Sequence, residues 1–106
     1  GYDMLLAFLE HKPAKEIEAL ARNVRPVRDP EVNYFSAAHL AYAGQTSAAL
    51  AMLKRTVQGG YCSYPAMDSD PLFGKLRSRP EFAEVRSAAI TCQKDFVAAR
   101  SALSRR

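Results

Sequence analysis

Seven apolar side chains near the end of the chain, Phe82, Val85, Ala89, Cys92, Phe96, Ala99 and Leu103, recur at gaps of 3, 4, 3, 4, 3 and 4. An α-helix gathers such a set on one face, whereas a strand would scatter it over two. The helix predicted over residues 80–103 is roughly 35 Å long at 1.5 Å per residue. A stripe that long needs cover along its whole length. Phe82, Val85 and Ala89 are expected to lie over the preceding helices. For Phe96, Ala99 and Leu103 the candidates are residues 2–24 of the same chain, a second copy of the chain, or a domain upstream of Gly1. Packing within the chain is the first expectation and a homodimer the second.

The rest of the chain is punctuated in the same helical manner. β-Branched residues are few and no alternating run suggests a strand. Residues 2–11 carry apolar side chains at Tyr2, Leu5, Leu6, Phe8 and Leu9. Pro13 suits a first helical turn, and Ile17, Leu20, Ala21 and Val24 share one face of a helix predicted over 13–24. Asp29, Pro30 and Glu31 form a start signal: a capping carboxylate, a proline where no N–H is needed, and an acid at the positive helix end. The helix that follows, to about Ala43, is apolar on more than one stripe and needs neighbours on two sides. Gly44 ends it. Another helix starts at Thr46 or Ser47, faces Ala49, Leu50, Leu53 and Val57 inward, and stops at the glycines 59 and 60.

After the connection YCSYPAMDS, Asp70 and Pro71 repeat the start signal 41 residues on. A short helix to about Arg77 is predicted. Ser78 and Glu81 then have capping-box spacing, with Pro80 in the first turn of the last helix. Each proline marks a helix start, and Phe73 and Phe82, two residues beyond Pro71 and Pro80, read as core anchors.

Residues 30–57 resemble a tetratricopeptide repeat, a helix–turn–helix unit of about 34 residues. Aligned on Gly44, Ala37 takes the small position and Leu40 the large one of the first helix; Ala49, Leu53 and Val57 take the core positions of the second. Asn33 stands where the family usually has a large aromatic, and Thr56 where it has alanine. Residues 2–25 resemble a preceding, degenerate helix pair. Residues 59–103 resemble the ending of repeat arrays in bacterial signalling proteins, carried by Asp70, Pro71, Phe73, Leu76, Arg77, Pro80 and Phe82. The resemblance implies an all-α fold: antiparallel helix pairs in a right-handed superhelix with a long C-terminal capping helix. It makes residues 1–106 a single domain, with units at 2–25, 30–58 and 70–103, expected to be a piece of a longer protein.

The resemblance also implies a protein-binding scaffold without catalysis. Its groove-facing positions fall on Glu31, Tyr34, Ala38, Ala41 and Tyr42, for a peptide or protein partner of unstated identity; the alternative for Tyr34 and Tyr42 is packing against a neighbouring helix. No pair of basic residues on that helix forms a clamp for a C-terminal carboxylate. The alternatives are nucleic-acid contact through the basic last helix and a purely structural cap.

Charge and motifs narrow the classes further. Net charge is +4, and the excess sits late: residues 71–106 carry eight basic and three acidic side chains. The arginines are spread around the helix rather than gathered with exposed aromatics, which argues against a stacking platform for nucleic acid. Gly59 and Gly60 lack the lysine and spacing of a phosphate loop. His11, His39, Cys62 and Cys92 lack metal-ligand spacing, and no nucleophile elbow occurs. No cofactor, metal or membrane span is expected. Cys62 and Cys92 read as two small, partly buried hydrophobes that could meet in space, and a cytoplasmic setting is expected.

Overall fold

The computed structural model describes residues 2–104, which form helices and turns with no strand among them. Gly1, Arg105 and Arg106 lie outside the described residues. The helices are α1 (Tyr2–Leu9), α2 (Ala14–Arg22), α3 (Pro30–Tyr42), α4 (Thr46–Gln58), α5 (Tyr64–Ser69) and α6 (Pro80–Ser104), with a 3₁₀ turn at Pro71–Phe73.

The centre of the fold is the pair α3 and α4. Asp29 accepts the Glu31 backbone N–H at 2.9 Å, so α3 starts as its signal predicts. At its other end the chain reverses through Gly44, at φ +79°, a left-handed conformation that a side chain would oppose. Gly60, at φ +97°, closes α4 in the same way. In both ends the following residue donates back into the helix: Gln45 to the Leu40 carbonyl at 2.9 Å and Tyr61 to that of Thr56 at 3.2 Å. α4 returns antiparallel to α3, and a Cβ on Gly59 would sit 3.1 Å from that of Pro30. Small side chains allow this closeness: Ala37, Ala41 and Ala49 are wholly buried.

The two departures from the repeat pattern have local explanations. Asn33 is buried and its amide grips the Val27 backbone twice, accepting its N–H and donating to its carbonyl, both at 2.8 Å. That pair holds the α2–α3 linker in place of an aromatic contact. Thr56 is wholly buried, and its hydroxyl donates to the Met52 carbonyl at 2.9 Å, so no polar atom is stranded.

The closing segment follows its sequence reading at most positions. Asp70 accepts the Leu72 N–H at 3.0 Å. Phe73 and Leu76 are wholly buried and Phe82 nearly so. Arg77 donates to the carbonyls of Met67 and Asp70, turning its charge onto the segment's own backbone.

Several expectations are corrected. The predicted helix to Arg77 is only the 3₁₀ turn, continued by tight turns: Phe73, Gly74 and Leu76 each donate three residues back, at 3.1, 3.1 and 2.9 Å. Side chains three apart eclipse in that geometry, which aims Phe73 and Leu76 at the core together. The Ser78 capping box does not form; Ser78 makes no side-chain hydrogen bond among the described residues, and α6 opens directly on Pro80. The connection after α4 contains a helix, α5, that buries Met67. α1 buries Met4 and Ala7, leaving Tyr2, Leu6 and Leu9 exposed.

Cys62 and Cys92 are joined in a disulfide, with Cα atoms 5.7 Å apart. They are therefore one cross-link, from the α4–α5 connection to the middle of α6, and not two separate hydrophobes. Nearby, Arg86 of α6 grips Asp68 of α5 through two nitrogens, at 2.6 and 2.8 Å. Beyond these ties α6 leaves the body. Every residue from Lys94 to Ser104 is exposed, so Phe96, Ala99 and Leu103 do not pack on residues 2–24 as first expected. The molecule is accordingly elongated, 57 × 27 × 17 Å.

Candidate functional site

α3 carries apolar side chains on two stripes, and the two meet different fates. Tyr34, Ala38 and Ala41 lie on the stripe that the repeat register makes groove-facing. All three are buried. The chain's own closing segment covers them. The Tyr34 ring packs 5.1 Å from Tyr61 and 5.4 Å from Phe73, and its hydroxyl donates to an Asp70 carboxylate oxygen at 3.0 Å. Burial, reinforced by that carboxylate, holds the Tyr34 phenol above its ordinary pKa. Of the five predicted groove residues, only Glu31 and Tyr42 are exposed, near opposite ends of the helix. Tyr42 is itself engaged: its ring meets Phe8 edge-on at 5.4 Å, and its carbonyl accepts Lys75 Nζ at 2.7 Å. The five residues therefore do not form one open surface in this chain.

The second stripe of α3 is open. Val32, Phe35, Ser36 and His39 follow one another at gaps of 3, 1 and 3, the spacing of one helix face. They line a hollow of about 400 Å³ together with Tyr2 of α1. Phe35 is 52% exposed and Val32 46%. The Tyr2 and His39 rings lie 5.7 Å apart, which joins the two helices into one surface. Leu6 and Leu9 extend the exposed apolar stripe along α1. Partial burial lowers the His39 pKa, so the imidazole is neutral near pH 7 and adds no charge to the hollow.

Chemically the hollow offers apolar area, aromatic edges, the hydroxyls of Tyr2 and Ser36, and one neutral imidazole. Ser36 and His39 make no side-chain hydrogen bond among the described residues, so both remain open to a bound group. No three His, Cys, Asp or Glu side chains converge as metal ligands among those residues, and no described helix is long and apolar enough to cross a membrane. Of the basic residues after Asp70, Lys75, Arg77 and Arg86 are held by intrachain contacts, whereas Lys94 and Arg100 are exposed on the projecting half of α6. No protein-family model matches the chain, and no curated protein or solved structure matches it.

Proposed function

We propose that the chain is a tetratricopeptide-like interaction module that binds a protein or peptide segment, with no chemistry of its own. The carrying observation is the open α1–α3 hollow, in which Tyr2, Val32 and Phe35 present contiguous apolar area on two packed helices. Surfaces of this kind mark docking sites more often than scattered exposed apolar residues do. The antiparallel α3–α4 pair, closed through alanines, supports the repeat-like reading. The occupant that suits the hollow is an apolar or amphipathic segment, with Ser36 and His39 orienting one polar group.

The reading moves the binding surface from Glu31, Tyr34, Ala38, Ala41 and Tyr42 to the other stripe of α3. For the nucleic-acid alternative, Arg86 is engaged by Asp68 while Lys94 and Arg100 of the same helix stay exposed, with a single exposed ring, Phe96, rather than an aromatic platform beside them. The Cys62–Cys92 bridge favours an oxidising compartment over the cytoplasm. Selection from a displayed peptide library tests the proposal. Binders should be apolar, lose affinity for a Phe35→Asp protein, and shift the NMR signals of Val32, Phe35 and His39. A library that yields no binder, or binders indifferent to Phe35→Asp, leaves the structural cap as the better reading.

A further inference from the structure

Two adjoining hollows lie where α2 and α4 meet, and arginines edge both. The first, of about 240 Å³, has an apolar floor of Val24, Pro26, Leu40 and Met52, with Arg22 and Arg55 at its walls. The second, of about 490 Å³, passes the α3–α4 turn at Gly44 and reaches Arg79. Ala21, Arg22 and Ala48 line both, so the two form one continuous surface. Arg22, Arg55 and Arg79 are all exposed. The one ion pair among the described residues lies elsewhere, between Arg86 and Asp68. A single acid, Glu18, lines either hollow. The connection that contributes Val24 and Pro26 also carries Arg25 and Arg28, both exposed, so residues 22–28 hold three arginines and no acid.

We propose that this face binds an acidic segment of a protein partner. One apolar side chain of the segment lies on the apolar floor, and its carboxylates lie against Arg22, Arg55 and Arg79. Positive charges gathered on one concave surface attract an anion more strongly than any of them does alone. The planar fork of arginine suits a carboxylate and a phosphate equally well. The floor decides between them. A nucleic-acid backbone brings nothing apolar to Leu40 and Met52, and no aromatic ring lines either hollow for a base to stack on. A peptide supplies charge and an apolar side chain within a few residues. The face shares no residue with the α1–α3 hollow and stands independently of the function proposed for it.

Fluorescence anisotropy on the whole chain tests the proposal, with a labelled peptide of glutamates around one central leucine as the probe. Binding is expected at about 100 µM or tighter in low salt, and severalfold weaker at about 0.5 M salt. Arg22→Glu and Arg55→Glu should each weaken it about tenfold, because an attractive contact becomes a repulsive one. Their helical spectra should be unchanged, since both side chains are exposed. Arg100→Glu makes the same change of charge on the projecting half of α6 and should alter binding less than about twofold. Replacing the peptide's leucine by glycine should weaken binding about fivefold or more. No binding up to about 1 mM overturns the proposal. Equal weakening by Arg100→Glu also overturns it, by making the attraction a matter of net charge alone. Single-stranded RNA that binds more tightly than the peptide would assign the face to nucleic acid instead. Inorganic phosphate that displaces the peptide at equal concentration, or binding indifferent to the leucine, would reduce the face to a small-anion site and refute the proposal.

Discussion

Asp70→Ala is expected to destabilise the fold by about 2–4 kcal/mol, although Asp70 is only partly buried. Its carboxylate holds two separate groups. One oxygen caps the 3₁₀ turn at the Leu72 N–H, and the other accepts the Tyr34 hydroxyl across 36 residues. Losing a cap costs about 1 kcal/mol. Tyr34 is 5% exposed, so its hydroxyl has little access to water once the acceptor is gone. A buried donor left unpaired costs about 1–3 kcal/mol more. Asp70→Asn keeps one acceptor oxygen, enough for the Leu72 cap but not also for the Tyr34 hydroxyl, and should cost about 1–2 kcal/mol. Tyr34→Phe removes the donor but keeps the ring against Tyr61 and Phe73, for about 1 kcal/mol. The double variant Tyr34→Phe, Asp70→Ala should then cost less than the two singles together, by roughly 1–2 kcal/mol. Urea melts read all four as shifts of the midpoint at constant slope. Strict additivity, within about 0.3 kcal/mol, would falsify the claim that this hydrogen bond ties α3 to the closing segment.

Three further outcomes are expected. Phe73→Ala should cost about 3–5 kcal/mol and Phe35→Ala within about 0.5 kcal/mol; equal losses in the same melts would contradict the assignment of one ring to the core and the other to the surface. Removing the Cys62–Cys92 bridge by reduction or by paired serines should cost roughly 3–4 kcal/mol, from the 30-residue separation it closes; a loss below about 1 kcal/mol means the bridge constrains little. Stability should fall as pH rises past about 10, where an unfolded tyrosine ionises. Tyr34 is held protonated in the fold by burial and Asp70. Its share is full below the unfolded value, is lost on the way up to the folded one, and slopes at most about 1.4 kcal/mol per pH unit. Tyr34→Phe should flatten that slope, and an unchanged alkaline melt would show that the phenol titrates freely.

The closing segment was the most legible part of the sequence because each residue type there does a local job. An aspartate caps, a proline starts a turn, and a phenylalanine two residues later faces the core. Such signals act within a few positions and survive without knowledge of the fold. Two local readings still failed there, the helix to Arg77 and the Ser78 capping box; the remaining departures depended on longer range. Nothing near Tyr34 announces Asp70, 36 residues away, so the sequence around Tyr34 could not show which segment covers it. The spacing of Cys62 and Cys92 is silent for the same reason: a bridge depends on where α6 passes the α4–α5 connection. α1 failed differently. Its apolar residues surround the helix, so Met4 and Ala7 could not be preferred over Leu5 and Leu6 until α2 and α3 were in place.

The second stripe of α3 was visible in the sequence as a surplus. A helix apolar on more than one face needs neighbours on each; α4 and the closing segment cover two faces of α3, and α1 covers the third only in part. What remains, Val32, Phe35 and His39, is displayed on a helix that is capped by Asp29, anchored by Asn33 at its entry and clamped by Lys75 at its last carbonyl. Those contacts fix the backbone beneath the hollow before anything binds. Ordering costs on association are then confined to the exposed side chains and to the occupant. A surface built on so constrained a helix favours a partner that brings its own shape, such as a preformed helix, over one that requires the surface to move. Loosening the entry with Asn33→Ala should therefore weaken peptide binding at the hollow even though Asn33 is buried and touches no ligand, and equal affinities for the folded variant and the wild type would show that the hollow adapts rather than waits.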